Sequence, residues 1–167
     1  FKAQYDFAGG EADFKDVYAA LLGLPVDVKL GHFKEPFGIE QLTSSNYLTF
    51  IERSLPDVFA PSRNNGFQVA DSAVGGRLIW AGGIYRESNG FGDSRGDNYN
   101  FTGRVAGRPY DSGDGTLLHL GLAFTHKEID GAIRFRQRPE AHLAPPFVDT
   151  GALAADSVDI IGLETAV

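Results

Sequence analysis

Apolar and polar residues trade places along most of this chain with a period of two. Phe1, Ala3, Tyr5 and Phe7 fall on one side of an extended segment, and Lys2, Gln4 and Asp6 fall on the other. That is the pattern of a strand with two unlike faces. Val26, Val28 and Leu30 alternate with Asp27, Lys29 and Gly31 in the same way. Tyr99, Phe101, Gly103, Val105 and Gly107 alternate with Asn100, Thr102, Arg104, Ala106 and Arg108. Leu118, Leu120, Leu122 and Phe124 alternate with His119, Gly121, Ala123 and Thr125. Weaker strands are predicted at residues 16–23, 66–70, 77–86 and 158–167, the last disturbed by Ile160, Ile161 and Leu163.

The connectors have a rhythm of their own. Short ones at Leu24-Pro25, Asp71-Ser72-Ala73 and residues 111–115 take turns with long ones at 37–65, 88–98 and 128–157. Such an order belongs to an up-and-down antiparallel sheet, and in outer-membrane barrels the short turns are periplasmic and the long loops extracellular. Several strands run about 9–11 residues, enough to cross a bilayer at a tilt. A soluble barrel or sandwich uses the same alternation with its apolar face turned inward. Two features favour the membrane alternative. The polar faces combine small residues with charges of both signs, as a wet lumen needs. In addition, Tyr5, Phe7, Tyr85, Tyr99, Phe101 and Phe124 sit near strand ends, where an interfacial girdle would lie.

Composition narrows the function. The 167 residues include 21 glycines, 13 phenylalanines and 6 tyrosines, a mixture suited to strands and turns. No apolar run reaches the roughly 18 residues of a membrane helix. A net charge of −7 argues against nucleic acid as a partner. Without cysteine there is no disulfide framework and no thiolate nucleophile. Methionine is also absent and Phe1 opens inside a strand pattern, which suggests an N-terminus lost to processing or truncation. His119 and His126 have no Cys or third His nearby, so no metal site is expected. Residues 111–115 lack the later Glu of a calcium loop and read as a turn. Arg95-Gly96-Asp97 reads as a chance match to an integrin-binding tripeptide, and the sequon Asn100-Phe101-Thr102 lies inside a predicted strand. No catalytic or nucleotide-binding motif stands out, so neither an enzyme nor a cofactor is expected.

Residues 31–56, GHFKEPFGIEQLTSSNYLTFIERSLP, strongly resemble the phosphate-selective porin O and P family. In that pattern a strand ends in G-x-F, followed by F-G-x-E-x-x-T-S-S and then E-R. The matching positions are Gly31, Phe33, Phe37, Gly38, Glu40, Thr43, Ser44, Ser45, Glu52 and Arg53. The segment RPEAHLAPPFVDTG at 138–151 supports the resemblance. It implies an outer-membrane channel of the bacterial cell, generally trimeric, with a barrel of about sixteen strands and a long loop folded into the pore. Residues 1–167 would then be one partial all-β transmembrane domain of about eight strands, half of such a barrel. Residues 37–65 would be the inward-folded constriction loop with a short helix, and 128–157 a long extracellular loop. Passive passage of small anions such as phosphate is implied, with outer-membrane lipid and lipopolysaccharide as surroundings. A closed eight-stranded barrel, and a non-conducting barrel for adhesion or anchoring, are the alternatives.

With apolar faces toward lipid, the polar faces line the pore. They carry Lys2, Lys29, Arg77, Arg104, Arg108 and Lys127, against Asp6, Asp16 and Asp27. Basic rings favour anions, whereas mixed charges can also simply pair in a wet interior. In the long loop, Ser44 or Ser45 is placed to cap a helix reaching Glu52. Arg53 and Arg63 are then candidates to meet an anion, with Lys34 at the strand exit. Equally, Glu40 or Glu52 would neutralise Arg53 and pin the loop. Arg134, Arg136 and Arg138, spaced by two, predict a cationic ladder at the extracellular mouth, directed at anions or at lipopolysaccharide phosphates. The loop's Glu40, Glu52 and Asp57 outnumber its Arg53 and Arg63, which weakens the expectation of phosphate selectivity.

Overall fold

A computed structural model describes residues 1–7, 10, 12–50, 52–89, 92–93, 96–141 and 143–167; Arg95 of the tripeptide lies outside them. Seven strands run up and down in chain order: β1 (Lys2–Asp6), β2 (Asp13–Leu21), β3 (Asp27–Lys34), β4 (Arg63–Ala73), β5 (Leu78–Arg86), β6 (Asn100–Asp111) and β7 (Leu117–Glu128). The following connection holds two short antiparallel pairs, in which β8 (Ala132–Ile133) joins β11 (Leu153–Ala154) and β9 (Arg136–Gln137) joins β10 (Val148–Asp149). Then β12 (Ser157–Ala166) pairs with β7 along its whole length. The eight long strands form one antiparallel sheet in the order β1-β2-β3-β4-β5-β6-β7-β12. Its outer strands, β1 and β12, do not pair with each other, so the sheet is open. The closed eight-stranded alternative is not what the chain forms: such a barrel has room inside only for side chains, and this sheet carries a whole loop on its polar face. Among the described residues no helix is long and apolar enough to cross a membrane.

Large apolar side chains face outward. Phe101, Val105, Leu120 and Leu122 are 46%, 40%, 47% and 48% exposed, while Asn100, Thr102 and Thr125 on the opposite face are buried. A soluble sandwich would reverse that order, because apolar burial drives its folding. Among the described residues, the buried apolar side chains include Phe33, Phe37, Tyr85, Ala106 and Ala123. Tyr85 is therefore a correction to the expected girdle. Parity in β5 sends Ile84 outward and Tyr85 inward, and the side chain lies against Gly66 and Gly83, where an added Cβ would collide with its ring and its hydroxyl. Its hydroxyl donates to Gln68 Oε1 at 3.0 Å. Ile160, which spoiled the alternation of β12, also points inward and lines a pocket with Phe37 and Phe59.

Two local expectations shift. The turn foreseen at Asp71-Ser72-Ala73 falls later, at residues 74–77, because Gly75 and Gly76 supply the left-handed backbone (φ 65° and 80°) that reverses the chain. The helix foreseen from Ser44 to Glu52 is not formed. Ser44 does cap, its Oγ accepting from Asn46 N at 3.4 Å, but only a single 3-10 turn, Ser45–Tyr47, follows. Asn46, Tyr47 and Thr49 are weak helix formers. Regular structure instead appears as a four-residue helix α1 (Ile39–Leu42) and a 3-10 turn at Leu55–Phe59, with Pro56 in its first turn.

Candidate functional site

The described residues between 35 and 62 lie on the polar face of the sheet, fastened to four strands. Glu35, wholly buried, is the deepest anchor. Its Oε1 accepts from Asn64 Nδ2 at 2.7 Å and Asn100 Nδ2 at 3.3 Å, and its Oε2 accepts from the Thr102 hydroxyl. Thr102 also contacts the Thr125 hydroxyl, extending the network from β4 through β6 to β7. Further along, the Phe37 ring rests over Gly162 of β12, where a Cβ would lie 3.1 Å away. The backbone N–H of Ile39 donates to Glu164 Oε2 at 3.0 Å. Within the loop, the Glu40 carboxylate takes Ser54 N at 2.8 Å and Ser54 Oγ at 2.5 Å.

The cations fall into two groups. Those of the wall are matched by acids. Arg104 grips Glu164 through two hydrogen bonds of 2.5 and 3.0 Å, both side chains nearly buried. Lys127 pairs with Glu87 at 3.0 Å, and Arg63 shares Asp16 with Lys2. Lys29 instead lies over the rings of Tyr18 and Phe33, 4.9 Å from each centre. Lys34 and Arg53 differ. The Lys34 ammonium donates to the carbonyls of Gln41 and Thr43. Arg53 donates to Glu40 O at 3.1 Å and to the same Thr43 O at 3.0 Å. Two cations thus converge on one carbonyl, beside Ser44 and Ser45, in a cleft of about 540 Å³ that Lys2, Lys15 and Arg63 also line, together with the acids Asp6 and Asp16. Arg53 thus meets backbone carbonyls of the loop, while the carboxylate of Glu40, one of the two partners expected for it, is taken by Ser54. Burial pushes the neighbouring Asp57 carboxyl above the usual range, against the pull of Arg53.

Arg77 and Arg108 sit at the short-turn end, where Arg108 N donates to Arg77 O at 2.8 Å. Arg77 belongs to the turn and not to β5, and Arg108 lies at an irregularity of β6 and pairs with Asp111 at 3.3 Å. At the opposite end Arg134, Arg136 and Arg138 are all exposed, alternating with half-buried Ile133, Phe135 and Gln137, so they share one face. Arg134 clasps Asp149 with bonds of 2.7 and 2.5 Å, and Arg136 Nε stands 3.6 Å from the same carboxylate. The Arg134 guanidinium holds Asp149 well below the usual carboxylate range.

A model of the family described as phosphate-selective porin O and P matches residues 1–167. The chain belongs to that family. Porin O of Pseudomonas aeruginosa is 32% identical over 124 residues, which are 69% of this chain and 27% of that porin. The match therefore spans little more than a quarter of that relative's length. No solved structure matches.

Three acids that organise this porin-family site escaped the sequence reading: Glu35, Glu164 and Asp149. Glu164 was within reach, since strand parity puts it on the polar face with Gly162. For Glu35 and Asp149 the sequence carries no signal, because their partners lie 29 to 67 and 13 to 15 positions away.

Proposed function

We propose that the protein is part of an outer-membrane porin through which small anions, phosphate among them, diffuse passively. Its eight strands would make up about half of a barrel of about sixteen, and the assembled channel would be a homotrimer in outer-membrane lipid and lipopolysaccharide. The observation that carries this function is the convergence of Lys34 and Arg53 on Thr43 O, inside a cleft between the loop and the polar face of the sheet. Lys15, Arg104 and Lys127 each pair with an acid and Lys2 and Arg63 share Asp16, whereas Lys34 and Arg53 meet carbonyls, so the cleft is lined by five cations against two acids.

Anions would be gathered at the long-loop end by Arg134, Arg136 and Arg138. They would then pass the narrowing where Lys34, Arg53 and Arg63 surround the cleft, the planar guanidinium matching phosphate oxygens in pairs. Lys29, Arg104 and Lys127 would line the wall, and Arg77 and Arg108 would stand at the short-turn exit. The chemistry needed is electrostatic and no bond is made or broken, so the channel would not act as an enzyme. The test is the reversal potential of the full-length protein in planar bilayers under a salt gradient. Anion preference is expected, reduced in Lys34→Gln and in the variant with Arg134, Arg136 and Arg138 all changed to Gln. Cation preference in the unmodified channel would defeat the proposal.

A further inference from the structure

We infer that Asp149 is a brake on anion capture: by holding the guanidinium groups of Arg134 and Arg136, it sets how strongly the mouth prefers anions. This rests on the channel function proposed above and adds a specificity-determining residue to it.

The carboxylate is held where it is from two sides. Register pairs Asp149 with Arg136 across β9 and β10, which brings the two side chains to one edge of the small hairpin. Its own chain fixes it too, Gly151 N donating to Oδ1 at 3.0 Å. Arg134 then takes both oxygens in the fork geometry that suits a carboxylate. The back of the hairpin is docked on the loop. The Phe135 and Phe59 rings are 4.9 Å apart, and Glu140 Oε1 accepts from Leu55 N at 2.9 Å. The arginine face is therefore turned to solvent, at the end of the sheet where anions would enter. With Arg134, Arg136 and Arg138 on that face, the Asp149 carboxylate lowers its net charge from +3 to +2. The backbone bond from Gly151 would survive loss of the charge, because an amide oxygen accepts it equally well. Geometry and charge can for that reason be separated by substitution.

The experiment compares the full-length protein with Asp149→Asn and Asp149→Glu in planar bilayers, using potassium chloride as the probe. Asp149→Asn should move the reversal potential further toward that of chloride. It should also raise conductance by roughly twofold in dilute salt, the scale set by one unit charge several ångströms away in water. The gain should fade in about 1 M salt, where the screening length falls to ~3 Å. Asp149→Glu, which keeps the charge, should behave like the parent. If the parent prefers cations, the channel function itself is wrong. If the parent prefers anions but Asp149→Asn is unchanged or weaker, or if Asp149→Glu shifts as Asp149→Asn does, the residue only staples the hairpin and the brake is refuted.

Discussion

At the scale of single residues, position on a strand decided which way a charge points, and the partner decided what that charge is worth. Arg104 illustrates both: its parity was evident, yet the bidentate contact with Glu164 removes most of its pull on an ion. Glu35 makes the opposite case, an acid whose whole environment comes from distant strands. Glu35→Ala would strand the buried donors of Asn64, Asn100 and Thr102, and should cost about 3 kcal/mol or more. Glu35→Gln should cost much less, since Thr102 and Thr125 can reverse the direction of their hydroxyl pair. Urea midpoints of the folded protein, read beside protease cleavage within residues 43–54, would check this; equal losses in the two variants would refute the anchor. Asp57 gives a pH dependence. Its folded carboxyl titrates above an unfolded one, so its ionisation opposes folding of the loop as pH rises, and acid relieves it. Facing Arg53, Lys34 and Glu40, it should lose its charge early on acidification and leave the loop more positive. Anion preference is then expected to increase on acidification while the pH is still above the ordinary carboxylate range, and Asp57→Asn should remove that part of the change in reversal-potential measurements.

At the scale of elements, strands were far more legible than the loop. Period two survives in a strand because neighbouring side chains necessarily face opposite ways, whatever the environment. What it leaves undecided is which face meets protein. Here the outward row of Phe101, Val105, Leu120 and Leu122 stays open while the inward row is covered. Placing Arg at Val105, near the middle of β6, should therefore destabilise the folded protein in bilayers by about 2–4 kcal/mol, and placing it at Phe101, near the strand end, by much less. Reversible unfolding in lipid vesicles measures it, and a variant that gains stability would mean that the face does not meet hydrocarbon. The loop obeyed no such rule. Its predicted helix gave way to one short helix and two 3-10 turns, because its shape follows from contacts with Glu164, Gly162 and Glu140 and not from its own periodicity.

At the scale of the whole molecule, the two edge strands carry the main consequence. β1 and β12 expose unpaired backbone N–H and C=O groups, which hydrocarbon does not tolerate, so further strands should complete the ring. The eight strands expressed alone should give no defined conductance steps in planar bilayers, whereas the full-length protein should. Steady single-channel steps from residues 1–167 alone would overturn the half-barrel proposal.

The order of residues alone determined the strand rhythm, the up-and-down connectivity and the family, since each is written locally, in parity, connector length and a contiguous motif. Only tertiary structure decided which cations remain uncompensated, that Tyr85 turns inward, and that Glu35, Glu164 and Asp149 organise the loop, the wall and the mouth. The reason is physical: a side chain's charge acts on its surroundings through whatever lies within a few ångströms of it, and in an antiparallel sheet those neighbours come from distant stretches of chain.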